Sequence, residues 1–394
     1  MADDNLIGHL AEPGTVLLDT ILPDNLGRTT LLFSRPSNYI VATDVRSVPA
    51  ALALVDEYVD AGKWVAGFIA YEAGYGLELR FHDSNADGDL VWFGVYDDAR
   101  EVSSELLSDL LGRRSLAGSF SIRASELGVG KSDYLASIAS IRNHIREGDV
   151  YQINYTAPMR AEFEGDSMAL YETLRRRQPV PYAAYIQTDA QTILSLSPEL
   201  FFTRDGKRIV TRPMKGTAPA GVDSREAARL SEELRLDPKN RAENLMIVDL
   251  LRNDLSMCCE PGSVIVSDLF GIQTYPTVIQ MTSTVEGQLR SDAKYADVFR
   301  ALFPSGSVTG APKIRAMELI REIESIPRGV YCGAVGFVGP DENATFNVAI
   351  RTITIDGSAL TMGTGSGVVW DSVAEAEYEE CLIKTRFLLD TDTL

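Results

Sequence analysis

Apolar and polar positions alternate along this chain in two different ways. Residues 15–100 read as short strands around one helix. Thr15–Thr20, Thr29–Ser34, Tyr39–Thr43, Trp64–Tyr71 and Leu90–Tyr96 are apolar or rich in β-branched and aromatic residues, and Val48–Val59 has helical spacing. Residues 101–131 hold few large apolar groups and read as a connecting segment. From Ser132 onward strands and helices interleave. Ser132–Glu147 is predicted as an amphipathic helix with Ser132 as its N-cap. Strands are predicted at Val150–Glu162, Ala183–Gln187, Thr192–Ser195, Leu200–Arg204 and Arg208–Thr211, followed by helices at Ser224–Leu234 and Asn240–Leu251. Strands return at Ser263–Leu269 and Thr277–Leu289, and helices at Tyr295–Leu302 and Ala311–Glu324. Strands at Gly333–Val338, Thr345–Asp356 and Ser358–Gly363 precede a last helix over Ser372–Leu389. Runs of strands broken by helix pairs predict an α+β fold, with antiparallel sheets flanked by helices.

Length and charge narrow the picture. A chain of 394 residues, 45% of them hydrophobic, can bury a large core and is long for one ordinary domain. Two parts are expected: a sheet-forming N-terminal region, 1–130, and a region from 131 to 394 that carries the chemistry. The net charge of −19 repels nucleic acid and anionic membrane, so neither is expected as a partner. An anionic substrate would need local cations or a metal to enter such a field. Cys258, Cys259, Cys332 and Cys381 form no C-x-x-C and read as reduced thiols of a cytosolic protein. Met1-Ala2-Asp3-Asp4 is acidic with no apolar run behind it, so no signal peptide is expected, and the longest apolar runs are too short to span a bilayer. The three histidines, His9, His82 and His144, read as surface or packing residues, which argues against histidine acid–base chemistry and His-ligated zinc.

Candidate chemistry comes from lysines and carboxylates. Arg212-Pro213-Met214-Lys215-Gly216-Thr217 puts a lysine on a tight, Gly-containing turn after a strand, which makes its amine a candidate nucleophile. On the last predicted helix Glu377, Glu380 and Lys384 share one face at i, i+3 and i+7. That face is either a solvated ion-pair face or the wall of a cleft. It follows Gly363-Thr364-Gly365-Ser366-Gly367, read as a turn whose N–H groups could form a nest for a carboxylate. Glu243 opens the apolar helix Asn244–Leu251, and carboxylates from two helices without His or Cys suit a hard, water-rich Mg²⁺ site. Arg351 and Lys313, taken singly, read as structural cations.

Several ordered motifs resemble the chorismate-utilising enzyme family. They are Gly148-Asp149-Val150-Tyr151-Gln152-Ile153-Asn154, Ser197-Pro198-Glu199, the Arg212–Thr217 segment, Arg241 to Asp254, Cys259-Glu260-Pro261-Gly262-Ser263-Val264, Ser305 to Lys313, and Gly363–Gly367 with the helix after it. The resemblance covers about residues 130–390 and is looser before that. It implies two facing antiparallel sheets with helices outside and a cleft that binds chorismate. It implies Mg²⁺ held by Glu243 and Glu380 with Glu377 close by, and substrate contacts from Arg351, Lys384, Tyr331, Thr309 and the Gly365–Gly367 backbone. Lys215, Thr217 and Gln280 would stand at the reacting centre.

Within the family, branches that add water resemble each other in carrying lysine where this chain has Gln152, and anthranilate synthases carry a small residue where it has Lys215. Lysine there is similar to the branch that makes aminodeoxychorismate on the route to 4-aminobenzoate and folate. The resemblance implies attack by Lys215 on ring carbon 2, then ammonia addition at carbon 4. Gln280 departs from the histidine that many relatives have near the leaving hydroxyl, so Lys215 or water would protonate that oxygen. Because the sequence shows no glutaminase module, ammonia is expected free or from a separate glutamine amidotransferase subunit. Two alternatives stand beside this reading: anthranilate synthase component I, and a catalytically inactive scaffold subunit. The Leu31-Leu32-Phe33-Ser34 region departs from the family's tryptophan-binding pattern.

Overall fold

A computed structural model describes residues 8–389 except 25, 27, 28, 87, 276 and 277. The elements in chain order begin with β1 (Thr15–Asp19), β2 (Thr30–Phe33), β3 (Asn38–Ala42), α1 (Val48–Asp60), β4 (Trp64–Ile69), β5 (Val91–Tyr96) and β6 (Arg100–Val102). Next come α2 (Ser104–Ala117), β7 (Phe120–Leu127), α3 (Lys131–Glu147), β8 (Gln152–Gly165), α4 (Ser167–Arg177), β9 (Tyr182–Gln187), β10 (Thr192–Ser197), β11 (Leu200–Asp205), β12 (Arg208–Arg212) and β13 (Met214–Pro219). Then follow α5 (Ser224–Leu236), α6 (Pro238–Ser256), β14 (Ile265–Thr274), β15 (Val278–Gln288), α7 (Tyr295–Leu302), the short β16 (Gly310–Ala311) and α8 (Lys313–Ile323). The chain closes with β17 (Ala334–Val338), β18 (Asn343–Val348), β19 (Thr352–Asp356), β20 (Ala359–Val368) and α9 (Ala374–Leu389).

The strands form two antiparallel sheets. The first has the order β16-β8-β20-β19-β10-β9-β1-β2-β6, with β7 beside β8; the second has β13-β15-β12-β11-β18-β17-β4-β5-β3, with β14 beside β15. The period-two alternation of strands sorts side chains between layers. Val16, Phe33, Ile186 and Ile193 of the first sheet meet Phe68, Trp92 and Val335 of the second in one core. Their neighbours Leu17, Leu32, Tyr185 and Leu194 point the other way, onto α2 and α4. Val65, Val91 and Phe93 of the second sheet likewise face outward onto α1, α6, α7 and α8. The result is helices, sheet, sheet, helices: the α+β architecture expected. Strands from before and after residue 130 share both sheets.

Four local expectations need correction. Residues 101–131 are not a connector but contain β6, α2 and β7. Leu107, Leu110 and Leu111 are enough to bury one helical face against α4, itself absent from the predicted elements. α3 starts at Lys131 after Gly130, which makes no side-chain cap, so Ser132 is not the N-cap. The predicted strand Thr345–Asp356 is two strands, because Arg351 takes φ +50 between β18 and β19. The Gly363–Gly367 segment is no turn; it lies inside β20 and pairs along its length with β8. Its glycines leave clearance instead: a Cβ on Gly363 would stand 2.0 Å from the Tyr331 ring. Residue 277, the predicted start of β15, lies outside the described residues. All four cysteines are free and buried, and no helix among the described residues is long and apolar enough to cross a membrane.

Candidate active site

Beyond the inter-sheet core the two sheets part around a cleft of about 660 Å³. β8 and β20 form one wall, β13 and β15 the other, and α6 and α9 close the side. Eleven of the twelve residues predicted for the site line it: Lys215, Thr217, Gln280, Tyr331, Arg351, Gly365, Gly367, Lys384, Glu243, Glu377 and Glu380. Thr309 does not. It is fully buried, and its hydroxyl donates to the Ser305 and Gly306 carbonyls, so it shapes the loop behind the cleft instead.

Lys215 sits on a bulged strand, which corrects the turn expected from sequence. Met214 pairs with Thr282 and Thr217 with Gln280, so Lys215 and Gly216 together oppose one residue of β15. A bulge of this kind re-aims a side chain. Gly216 has φ +88, and a Cβ there would lie 2.9 Å from the Asn240 amide oxygen, so glycine is required on both counts. The Lys215 amine has one hydrogen bond, a long one of 3.4 Å to the Ser307 carbonyl. Burial pushes its pKa down, opposed by the nearby Glu199 charge. An amine that loses its proton more readily than an ordinary lysine is what a nucleophile needs.

Glu199, whose motif was legible in the sequence but whose role was not, faces this amine. It is 4% exposed. Burial raises its pKa to about 7, against the opposing effects of the Ser307 hydroxyl, the Lys215 charge and the Met214 N–H. A carboxyl that keeps its proton near neutrality can act as a general acid. A proton there is one that the Gln280 amide cannot hold at neutral pH.

The same cleft also holds the acids and the remaining cations, near enough that the Lys215 and Glu243 charges act on one another. Glu243 lies on the second turn of α6, and Glu377 and Glu380 on the first turns of α9. The Glu243 carboxyl is raised first by burial, and the charges of Glu377 and Glu380 push it the same way. These three hard oxygen donors are the set that could hold a divalent cation. They do not close on one another as a tight cluster; among the described residues, the side chains whose ligand atoms gather within 4.8 Å are His144, Glu147 and Asp149, outside the cleft. Asp149 there is already engaged by His144 and Arg315. The cleft carboxylates therefore suit a cation that keeps part of its water shell. Lys384 bridges Glu380 at 2.6 Å and donates to the Gly365 carbonyl at 2.7 Å. Arg351 has no carboxylate partner among the described residues, and donates to the neutral Gln178 amide at 2.8 Å. Its charge is free for an anion. Lys313, by contrast, is consumed by Asp254 and two carbonyls.

A family model described as chorismate binding enzyme matches residues 36–390. The chain belongs to that family. It is 37% identical over 338 residues to aminodeoxychorismate synthase component 1 of Klebsiella aerogenes, which covers 80% of this chain and 75% of the relative. It is also 37% identical over 344 residues to anthranilate synthase component 1 of Methanothermobacter marburgensis, covering 82% and 74%. Among solved structures, anthranilate synthase component I of Streptococcus pneumoniae superposes with a TM-score of 0.79 over 94% of each chain at 24% identity, a likeness of fold. Chorismate-binding enzymes thus include relatives of two activities at equal distance from this chain, and the choice between them rests on the cleft.

Proposed function

We propose that this chain is a component I enzyme that converts chorismate and ammonia to 4-amino-4-deoxychorismate through a covalent bond to Lys215. The observation that carries the reading is the Lys215 amine, enclosed in the cleft with a single long hydrogen bond to a carbonyl, beside the buried Glu199 carboxyl whose pKa burial raises to about 7. The resemblance gives anthranilate synthases a small residue at that place, where this chain has Lys215. Chorismate's enolpyruvyl carboxylate is held by Arg351 and Lys384, with Tyr331 and the β20 glycines against the ring. Glu243, Glu380 and Glu377 hold Mg²⁺, which when bound withdraws charge from the conjugated ring carboxylate.

The steps balance as follows. The neutral Lys215 amine forms a bond to ring carbon 2, the ring double bond shifts, and the carbon 4 hydroxyl leaves with the Glu199 proton as water. Ammonia then bonds to carbon 4, the double bond returns, and Lys215 departs as a neutral amine. The extra proton on the new amino group passes to the Glu199 carboxylate. The enolpyruvyl group stays on, and ammonia comes from a separate glutamine amidotransferase subunit in the cytoplasm; the route leads toward 4-aminobenzoate and folate.

The test is an incubation of the protein with chorismate, Mg²⁺ and a high concentration of ammonium chloride near neutral pH, with mass analysis of the products. An amino-substituted chorismate that keeps its enolpyruvyl group, absent with Lys215→Ala, supports the reading. Anthranilate plus pyruvate would move the protein to the second reading, favoured by the equal identity to the Methanothermobacter marburgensis anthranilate synthase component 1.

A further inference from the structure

Arg351 is held at the cleft by a chain of fixed parts that ends in a neutral amide. Its φ of +50 is a left-handed conformation that a non-glycine residue rarely adopts. The Leu196 N–H of β10 secures this bend by donating to the Arg351 carbonyl at 3.0 Å. From the bend the guanidinium reaches the cleft, where its Nη1 donates to Gln178 Oε1 at 2.8 Å, and both residues line the cavity. Gln178 is itself fixed. It follows the last turn of α4, its N–H donates to the Leu174 carbonyl at 2.9 Å, and Pro179 after it disfavours any continuation of the helix. α4 is anchored to β1 by the buried Arg175, which donates to Asp19 at 2.6 Å. A guanidinium offers five N–H donors in a planar fork. Among the described residues, Gln178 is the only side chain that hydrogen-bonds this one.

We propose that Gln178 is the positioning residue that makes the cleft selective for a substrate with a carboxylate at Arg351: it orients the guanidinium through one N–H without neutralising its charge. The inference rests on the placing of the enolpyruvyl carboxylate at Arg351 proposed above, and adds what keeps that place open. A glutamate at 178 would have nearly the same length and shape with the opposite consequence. It would take the guanidinium in a charge-assisted pair and set a second anion against the incoming carboxylate. The cleft has acids elsewhere, in Glu243, Glu377 and Glu380, and an amide here. Enclosure lowers the pKa of the Arg351 guanidinium, opposed by Tyr275 and not by a carboxylate. An arriving carboxylate therefore meets a charge that the fold has left without a counter-ion, and the pairing favours binding.

The test measures chorismate binding by calorimetric titration with Mg²⁺ present, for wild type, Gln178→Glu and Gln178→Met. In Gln178→Glu the dissociation constant should rise at least about thirtyfold, from like charges brought together. In Gln178→Met, which keeps the length but accepts no hydrogen bond from Arg351, it should rise about five- to tenfold. A structural role alone would give the opposite order, because glutamate is the closer match in shape and polarity. A second readout is steady-state turnover: the chorismate Michaelis constant should follow the same order while that for ammonium stays within about twofold. Chorismate bound by Gln178→Glu as tightly as by wild type, or more tightly than by Gln178→Met, overturns the assignment. If Gln178→Glu does not fold, Gln178→Met decides alone, and binding within about twofold of wild type overturns it. A wild-type protein that binds no chorismate would instead sink the proposed function, whereas anthranilate as its product would change the reaction and leave this comparison standing.

Discussion

Lys215 and Lys313 are two lysines withdrawn from bulk solvent in one chain, and their surroundings are opposites. Lys313 stands at the first position of α8, where its amine donates to Asp254 at 2.7 Å and to the Ala301 and Leu302 carbonyls at the end of α7. All three ammonium donors are used, and three helices are tied together. Lys215 has one carbonyl at 3.4 Å and no carboxylate within ion-pair distance among the described residues. The same residue type is thus a structural clamp where its donors are saturated and a reactive amine where they are not. Burial alone does not make a lysine nucleophilic; burial without saturation does.

Four measurements would sharpen or break that contrast. The largest effect is expected from Lys215→Ala. Turnover to the amino product should fall by at least ~10³-fold, as for loss of a covalent nucleophile, while the melting temperature holds; retained turnover would make Lys215 a bystander. Lys313→Met should do the reverse. It leaves Asp254 buried and unpaired, costing about 3–5 kcal/mol, read by urea denaturation, with turnover per folded molecule preserved. The third is Glu199→Gln. The Glu199 carboxyl must carry its proton to act, so kcat/KM should decline as pH rises through about 7 in wild type. The same raised pKa makes stability decline with rising pH between 4.5 and about 7. Glu199→Gln should therefore flatten that limb and raise stability at pH 8 by roughly 3.5 kcal/mol, with no gain at pH 4. An equal gain at both pH values would mean that the carboxyl is not titrating in the fold. The smallest effect is expected from Gln280→His, which should keep turnover within about threefold of wild type; complete loss in a folded variant would show that the amide geometry, not an acceptor alone, is needed.

Much of the fold was legible because alternation is local. β1 to β5 and α1 were predicted to within two residues, since one face of each meets a core and the other does not. What failed was set by distant contacts. α2 looked polar because only a leucine stripe is buried, and its partner α4 lies fifty residues on. The glycines of β20 looked like a turn because their purpose, clearance for Tyr331 and Gln152, belongs to other segments. The site was legible through its motifs, and eleven of its residues do converge on the cleft. Glu199 had no assigned role because its proton affinity comes from enclosure, which sequence spacing does not encode. Thr309 was over-read because a conspicuous motif also contains residues that only fold the loop. Gln178 gave no signal at all, since an amide beside Pro179 is unremarkable until Arg351 turns toward it.

The strand order also governs how the molecule comes into being during synthesis. β8 emerges about two hundred residues before its partner β20, β4 waits still longer for β17, and β11 and β12 must wait for β18 and β15. A nascent chain therefore leaves the ribosome with open hydrogen-bonding edges in both sheets, and each edge is a template for wrong pairing. Neither sheet is complete, and no cleft exists, until nearly the whole chain has been translated. Ribosome-bound protein should thus need shelter from chaperones over most of its synthesis, and premature termination anywhere before β20 should give an insoluble fragment rather than a partly working enzyme.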